Sequence, residues 1–227
     1  MTADEINTKI REALNYDEYQ YQKDNNILIK EPYRAEGLHR ILYQCPNCKT
    51  EFEMDTKGAE LFCKHCGKRW VWHENGYLEA LEGETEFDHI PDWYNWQREQ
   101  VKKQIKSGKY NFIDEVDVYS QPHCWRFRPL GKANIVHNAD EGFVLTGHYR
   151  GKDYKIKRAP LENIAIQIEY DFSKIKHADC FCITISKDNF YCFPKNQMAV
   201  TKIGLATEEI YNLKIKDVKK TTSKKKD

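Results

Sequence analysis

The sequence predicts an α+β chain, and three observations carry that expectation. Two CxxC pairs sit among short β-rich runs between His39 and Ala80. Strand-like runs follow one another from Val116 onward, broken by glycines and by an Asp-Asn pair. Apolar residues recur at helical spacing near the start, the middle and the end of the chain. With 227 residues, there is room for one large domain or two small ones with a connecting piece.

The cysteines come first because their spacing is the most specific pattern present. Eight cysteines admit a secreted disulfide framework, but four of them form Cys45-Pro-Asn-Cys48 and Cys63-Lys-His-Cys66. Two residues between thiolates let a tight turn aim both sulfurs at one ion, and two such turns complete a tetrahedral S4 site. That donor set favours zinc. Gly67 gives the second turn the backbone freedom it wants. All four ligands come from the protein, so the expected role is structural. His65 lies inside the second pair and is expected to face solvent. Cys124, Cys180, Cys182 and Cys192 lack ligand spacing and read as buried free thiols.

The runs around the cysteines fit a zinc ribbon over 39–80. Ile41-Leu42-Tyr43 leads into the first turn, Glu60-Leu61-Phe62 into the second, and Arg69-Trp70-Val71-Trp72 leads out. So few apolar residues cannot hold this unit alone, and zinc is expected to contribute on the order of 10 kcal/mol to its folding.

Residues 2–14 read as a helix with Thr2 and Glu5 as a capping box and Ile6, Ile10 and Leu14 on one face. That stripe needs a partner, and Tyr16, Tyr19 and Tyr21 follow it. Residues 1–38 are therefore expected to be a docking and linker segment for a domain outside this sequence. Over 81–115 an acidic segment precedes a helix opened by Pro91 and closed before Gly108, with Trp93, Trp96, Val101 and Ile105 on its apolar side.

Strand candidates in the β-rich part are 116–120, 133–137, 143–149, 153–158, 164–170, 180–186 and 190–193. If Asp188-Asn189 is a two-residue turn, Phe181, Ile183 and Ile185 share a face with Phe190 and Cys192. Cys180 and Cys182 then face the other way. A last helix over roughly 200–215 carries Ile203, Ala206, Ile210 and Leu213, with Gly204 as its weak point. Seven strands closed by a C-terminal helix over 116–213 point to a PH-like barrel or a small sandwich.

Charge and hydropathy narrow the function. A mean hydropathy of -0.81 and 31 % charged residues exclude a membrane-embedded chain. The polar, acidic start does not read as a signal peptide, so the expected location is cytoplasmic, with peripheral contact at the inner membrane face. The net charge of +1 divides into −3, 0, −3, +2 and +5 over 1–38, 39–80, 81–115, 116–213 and 214–227. No folded part carries the basic footprint of a nucleic-acid binder. The 214–227 tail reads as a solvated basic segment, and Lys219, Lys220, Lys224, Lys225 and Lys226 are the candidates for contact with an anionic surface.

Glu82, Glu84, Glu86, Asp88, His89 and Asp92 are the best candidates for acid–base work by composition. They precede a helix, where carboxylates favour the positive end of the dipole, and the helix-entry reading is preferred. GxSxG, P-loop and dinucleotide motifs are absent.

Several strings resemble a family. Glu31-Pro-Tyr-Arg-Ala-Glu-Gly-Leu, Ile41-Leu-Tyr-Gln-Cys-Pro, Gly83-Glu-Thr-Glu-Phe, Ile90-Pro-Asp-Trp-Tyr and Leu205-Ala-Thr-Glu-Glu-Ile-Tyr are similar to the C-terminal region of bacterial 1-acyl-glycerol-3-phosphate (lysophospholipid) acyltransferase-like proteins. The resemblance runs from about Ile6 to Leu213. It implies phospholipid biosynthesis with acyl thioester donors, and an acyltransferase domain preceding a zinc-ribbon region. Of the eight histidines only His148 has an aspartate five positions later, Asp153, and that pair lies in the β-rich part and not in a preceding acyltransferase domain, so the family's HxxxxD motif is not carried over. Its FPEG-like segment is also missing, and Phe193-Pro194-Lys195 only echoes it. No catalytic residue carries over; Cys45, Cys48, Cys63 and Cys66 carry over as zinc ligands. The expected role is a zinc-binding accessory or regulatory module, with a stand-alone protein- or nucleic-acid-binding ribbon as the alternative.

Overall fold

The computed structural model describes residues 1–123, 126–186 and 188–223, with side chains at 1–122, 126–186 and 188–218. Cys124 and Lys224, Lys225 and Lys226 lie outside the described residues, as do the side chains of Lys219 and Lys220. No helix among the described residues is long and apolar enough to cross a membrane.

Helix α1 (Ala3–Leu14) begins at the expected capping box. The Glu5 amide donates to Thr2 Oγ1 at 3.2 Å, and the Thr2 amide donates to the Glu5 carboxylate at 2.7 Å. None of its residues is buried. Helix α2 (Glu18–Asp24) follows, capped by Asp17, and it packs on the ribbon. There Tyr19 meets Trp72 with ring centroids 6.3 Å apart. The buried Gln22 donates to the carbonyls of Ile27 and Glu74 at 3.1 and 3.0 Å. Residues 17–38 therefore wrap the ribbon, whereas α1 stands clear of it.

The region read as a ribbon holds a four-stranded antiparallel sheet of β1 (Met54–Lys57), β2 (Glu60–Cys63), β3 (Arg69–Trp72) and β4 (Leu78–Ala80), in that order. Ile41 differs from its β-rich reading: it ends a one-turn helix, α3 (Leu38–Ile41), which starts from the left-handed Gly37. Helix α4 (Ile90–Lys106) carries Pro91 in its first turn and gives way to Ser107 and Gly108, the latter at φ +69°. Its N-terminal half faces the ribbon through Trp93. Val101 and Ile105 in its C-terminal half pack with Tyr43, Tyr110 and the last helix.

The second sheet has seven antiparallel strands: β5 (Asn111–His123), β6 (Arg126–Asn138), β7 (Gly142–Tyr149), β8 (Lys152–Arg158), β9 (Gln167–Glu169), β10 (Cys180–Ile185) and β11 (Asp188–Pro194). Their order is β8-β7-β6-β5-β11-β10-β9. Strand β9 is shorter than the 164–170 reading, and Ile164 is exposed. Phe143 on β7 and Phe181 on β10 lie 5.9 Å apart between ring centroids, although four strand spacings, roughly 19 Å on a flat sheet, separate them. The sheet is therefore strongly curled around its core. It does not close: β8 and β9 remain unpaired edges, so the expected barrel is not formed.

Helix α5 (Ala199–Ser223) explains the open side. Ala199, Val200 and Ile203 belong to the sheet's own core, and the helix runs against β9 and the turn at Pro160–Glu162. Gly204 is where it comes closest; a Cβ there would lie 2.5 Å from Ile168 Cδ1. The residue that weakens the helix by propensity is the one that lets it dock. Helix α5 also outruns its expected end near 215, because no glycine or proline interrupts 214–223.

The last hairpin corrects the turn position. Ile185 pairs with Asp188 and Thr184 with Asn189, so Asp188-Asn189 belong to β11 and do not form the turn. The slip is an even number of residues, so face assignment survives: Phe181, Ile183 and Cys192 enter the core, and Cys180 and Cys182 join Tyr191 and Phe193 on the other face.

Candidate metal centre

Two turns of the same shape build the site. The Cys45 amide donates to the Thr50 carbonyl at 3.0 Å, and the Lys49 amide donates back to the Cys45 carbonyl at 3.0 Å. In the second turn the Cys63 amide donates to Lys68 and the Gly67 amide to Cys63, both at 2.9 Å. The fifth residue of each turn is left-handed: Lys49 at φ +64° and Gly67 at φ +76°. Glycine takes that conformation without penalty, and lysine holds it at a cost of about 1 kcal/mol. The first turn is closed by the Gln44–Glu51 bridge and the second joins β2 to β3, and together they bring the four sulfurs within 4.8 Å of one another.

The sulfur geometry tests the metal. Cys45 and Cys66 Sγ are 3.7 Å apart, as are Cys48 and Cys63 Sγ. All four lie within 4.8 Å of one another. A tetrahedron with metal–sulfur bonds of about 2.3 Å has edges of about 3.8 Å, so a zinc-sized ion fits. A disulfide needs sulfurs about 2.05 Å apart, and these cysteines are free thiols.

Electrostatics agree with a cation. Burial pushes the Cys45 and Cys63 thiols up, against backbone amide donors at Cys48 and Asn47 and at Cys66 and His65. Burial also opposes ionisation of Cys48, yet hydrogen bonds from Thr50 and His65 hold it down at about 6. The Asn47 side-chain amide lies 3.5 Å from Cys66 Sγ as its donor. With two thiols raised, four adjacent thiolates persist only around a positive ion. Cys45 and Cys63 are buried, Cys48 is half-buried and Cys66 is exposed.

Helix α4 fixes the approach to the first turn through Trp93, expected on its apolar side, and through Gln97, which the sequence did not single out. Gln97 has no exposed surface; its Oε1 accepts the Gln44 amide at 2.9 Å and its Nε2 donates to the Ile41 carbonyl at 3.0 Å. Trp93 Nε1 donates to the Gln44 carbonyl at 2.9 Å. Its ring meets Trp70 with centroids 5.0 Å apart. The backbone just before Cys45 is thus gripped on both sides. Only the burial of Gln97 reveals this; a glutamine on a helix carries no such signal in sequence.

The acidic candidates disperse. Glu86 takes Lys68 at 2.6 Å and Trp70 Nε1 at 3.3 Å. His89 opens α4 with Nε2 3.1 Å from Asp17 and Nδ1 3.4 Å from Asp92. Glu82, Glu84 and Asp88 are exposed. Among the described residues, the cysteines are the group that gathers around a point. His65 is exposed and serves the site through Cys48. Cys180, Cys182 and Cys192 are buried on β10 and β11; burial pushes the first two up to about 12 and about 11, and Cys192 well above its ordinary value. They are inert thiols.

Compared with known proteins, the chain matches no family model, no curated protein and no solved structure.

Proposed function

We propose that this chain is a zinc-ribbon accessory module, non-catalytic in itself, of an acyltransferase-like protein of phospholipid biosynthesis. The observation that carries the zinc reading is the cluster of four sulfurs, all within 4.8 Å of one another and two pairs at 3.7 Å. Four protein thiolates fill a zinc sphere and leave no position for water or substrate, so the metal's role is to fold the ribbon. Cys45, Cys48, Cys63 and Cys66 would hold it, and burial of two of them shields the bonds. The acyltransferase association rests on the five sequence strings. The exposed stripe of α1 supports a docking role, since Ile6, Ile10 and Leu14 are 41 %, 49 % and 77 % exposed. That stripe equally favours a stand-alone protein-binding ribbon.

Purified chain is expected to hold one zinc per polypeptide, measured by elemental analysis. Cys63→Ser should release it and speed hydrogen exchange across residues 39–80. Full-occupancy iron, or no metal after purification without chelator, contradicts the zinc reading. The accessory reading predicts no acylation of lysophosphatidate by the isolated chain above background. It also predicts slower exchange over residues 2–22 when a matching acyltransferase domain is added. Protection by an unrelated partner alone would favour the stand-alone reading.

A further inference from the structure

The two ends of the curled sheet differ in character, and strand register identifies them. Pairings His123 with Arg126, Tyr149 with Lys152 and Ile185 with Asp188 close three hairpins at one end. The other end meets the ribbon and helices, where Arg40 binds Asp179 at 3.0 Å and Lys214 reaches Asp140 at 3.6 Å.

Folding concentrates positive charge toward the hairpin end. Residues 126–134 and 144–156 contain Arg126, Arg128, Lys132, Arg150, Lys152 and Lys155 against a single acid, Asp153. Lys132 is paired with Glu115, and Asp153 with His148. The other five cations are all exposed, and none forms an ion pair among the described residues. Asp188 of the third hairpin is a further acid at this end, and Glu115 and Asp117 lie opposite Asn134 and Lys132. Most other acids of 116–213 lie elsewhere, so the net +2 over that stretch understates the local excess of positive charge. Unpaired like charges held together repel one another, and a surface of opposite charge relieves that repulsion.

Shape selects the partner. Strand β6 runs seven residues beyond Ala133 to Arg126, whereas β7 runs two beyond the paired Gly147. The β5–β6 hairpin therefore overhangs its neighbour by roughly 15 Å. Arg126, Arg128, Arg150 and Lys152 sit toward the hairpin tips, outside the open cavity across β6, β7 and β8 that Lys132 and Lys155 line; a nucleic-acid backbone is tracked by a continuous basic groove. One half-buried ring stands beside a cation, the Arg150 guanidinium being 5.3 Å from the Tyr149 ring centroid, whereas Phe127, between Arg126 and Arg128 in sequence, packs on Phe172 and Tyr191. Cations on amphipathic stems beside aromatic rings suit the headgroup layer of a bilayer.

We propose that the hairpin end of the sheet, through Arg126, Arg128, Arg150 and Lys152, docks on an anionic lipid surface. This places lipid contact at the opposite end of the sheet from the approach of Lys214 to Asp140. Each cation near such a surface contributes roughly fivefold to binding.

The test uses zinc-loaded full chain and vesicles of phosphatidylcholine alone or with 30 mol % phosphatidylserine, as a chosen probe at about 0.1 M salt. Cosedimentation should occur with the mixed vesicles only. The quadruple variant R126Q/R128Q/R150Q/K152Q should weaken it at least thirtyfold with an unchanged melting temperature. The tail variant K219Q/K220Q/K224Q/K225Q/K226Q should retain most binding. No binding to the mixed vesicles overturns the proposal, as does binding that survives the quadruple variant or disappears in the tail variant. Tighter binding to a 20-nucleotide single-stranded RNA, lost in the quadruple variant, also overturns it. Zinc content, measured on the same samples, reports separately on the ribbon.

Discussion

Gln97 shows how one side chain braces the approach to a candidate metal site it does not touch. It satisfies the Gln44 amide and the Ile41 carbonyl, and no surface of it reaches water. Gln97→Ala leaves both groups unpaired in a dry place, at about 1–3 kcal/mol each. Equilibrium unfolding of the zinc-loaded chain should record a loss of about 3 kcal/mol. A loss under 1 kcal/mol would mean that the first cysteine turn holds itself. His137 makes a second residue-scale prediction. Burial pushes its pKa down to about 3, with Tyr110 Oη 3.0 Å from Nδ1 and the Phe143 ring stacked at 3.9 Å. The unfolded chain takes up a proton near pH 6.5 and the folded chain does not. Stability from this group is therefore full above pH 6.5 and declines as pH falls toward 3. Between pH 6.5 and 4.5 the decline is about 2–3 kcal/mol. In His137→Phe, denaturant titrations should show a flatter slope over that window; an unchanged slope would assign the dependence to other groups.

At the scale of elements, local signals were legible where the physics is local. The capping box of α1 and the Pro91 and Gly108 limits of α4 depend on residues a turn apart, and both helices lie where those signals place them. The cysteine spacing likewise fixes two tight turns and their shared target. Elements set by distant contacts were less legible. The strand pattern does not distinguish pairing of Ile185 with Asp188 from a turn at 188–189, since both keep the same face inward. The Gln97 and Gln44 pair, 53 residues apart, leaves no trace in either segment. Helix α1 separates local from tertiary stability. Its capping box is formed, but none of its residues is buried. Deleting residues 1–14 should shift the melting temperature of the zinc-loaded chain by less than about 2 °C, as little apolar area changes environment. A larger drop would show that the helix packs on this chain in solution.

For the whole molecule, the ribbon and the curled sheet are joined by more than the chain running through α4. Arg98 reaches Glu208 and Glu209 on α5, Lys202 meets Glu51 at 2.6 Å, and Tyr43 of the ribbon approach shares an apolar cluster with Tyr110, Leu205 and Ile210. Barrel closure was beyond the sequence for the same reason: it depends on where α5 lands, and α5 lands on the open side through Gly204. The four-cysteine group therefore sits in a scaffold whose parts share one joint, and on the zinc reading its four thiolates would have no remaining valence for chemistry. X-ray absorption at the zinc edge of the purified full chain tests that claim most directly. Four sulfur neighbours at about 2.3 Å and no oxygen or nitrogen neighbour is the predicted result. A bound water, a histidine nitrogen in place of a sulfur, or an iron edge in place of zinc would contradict it.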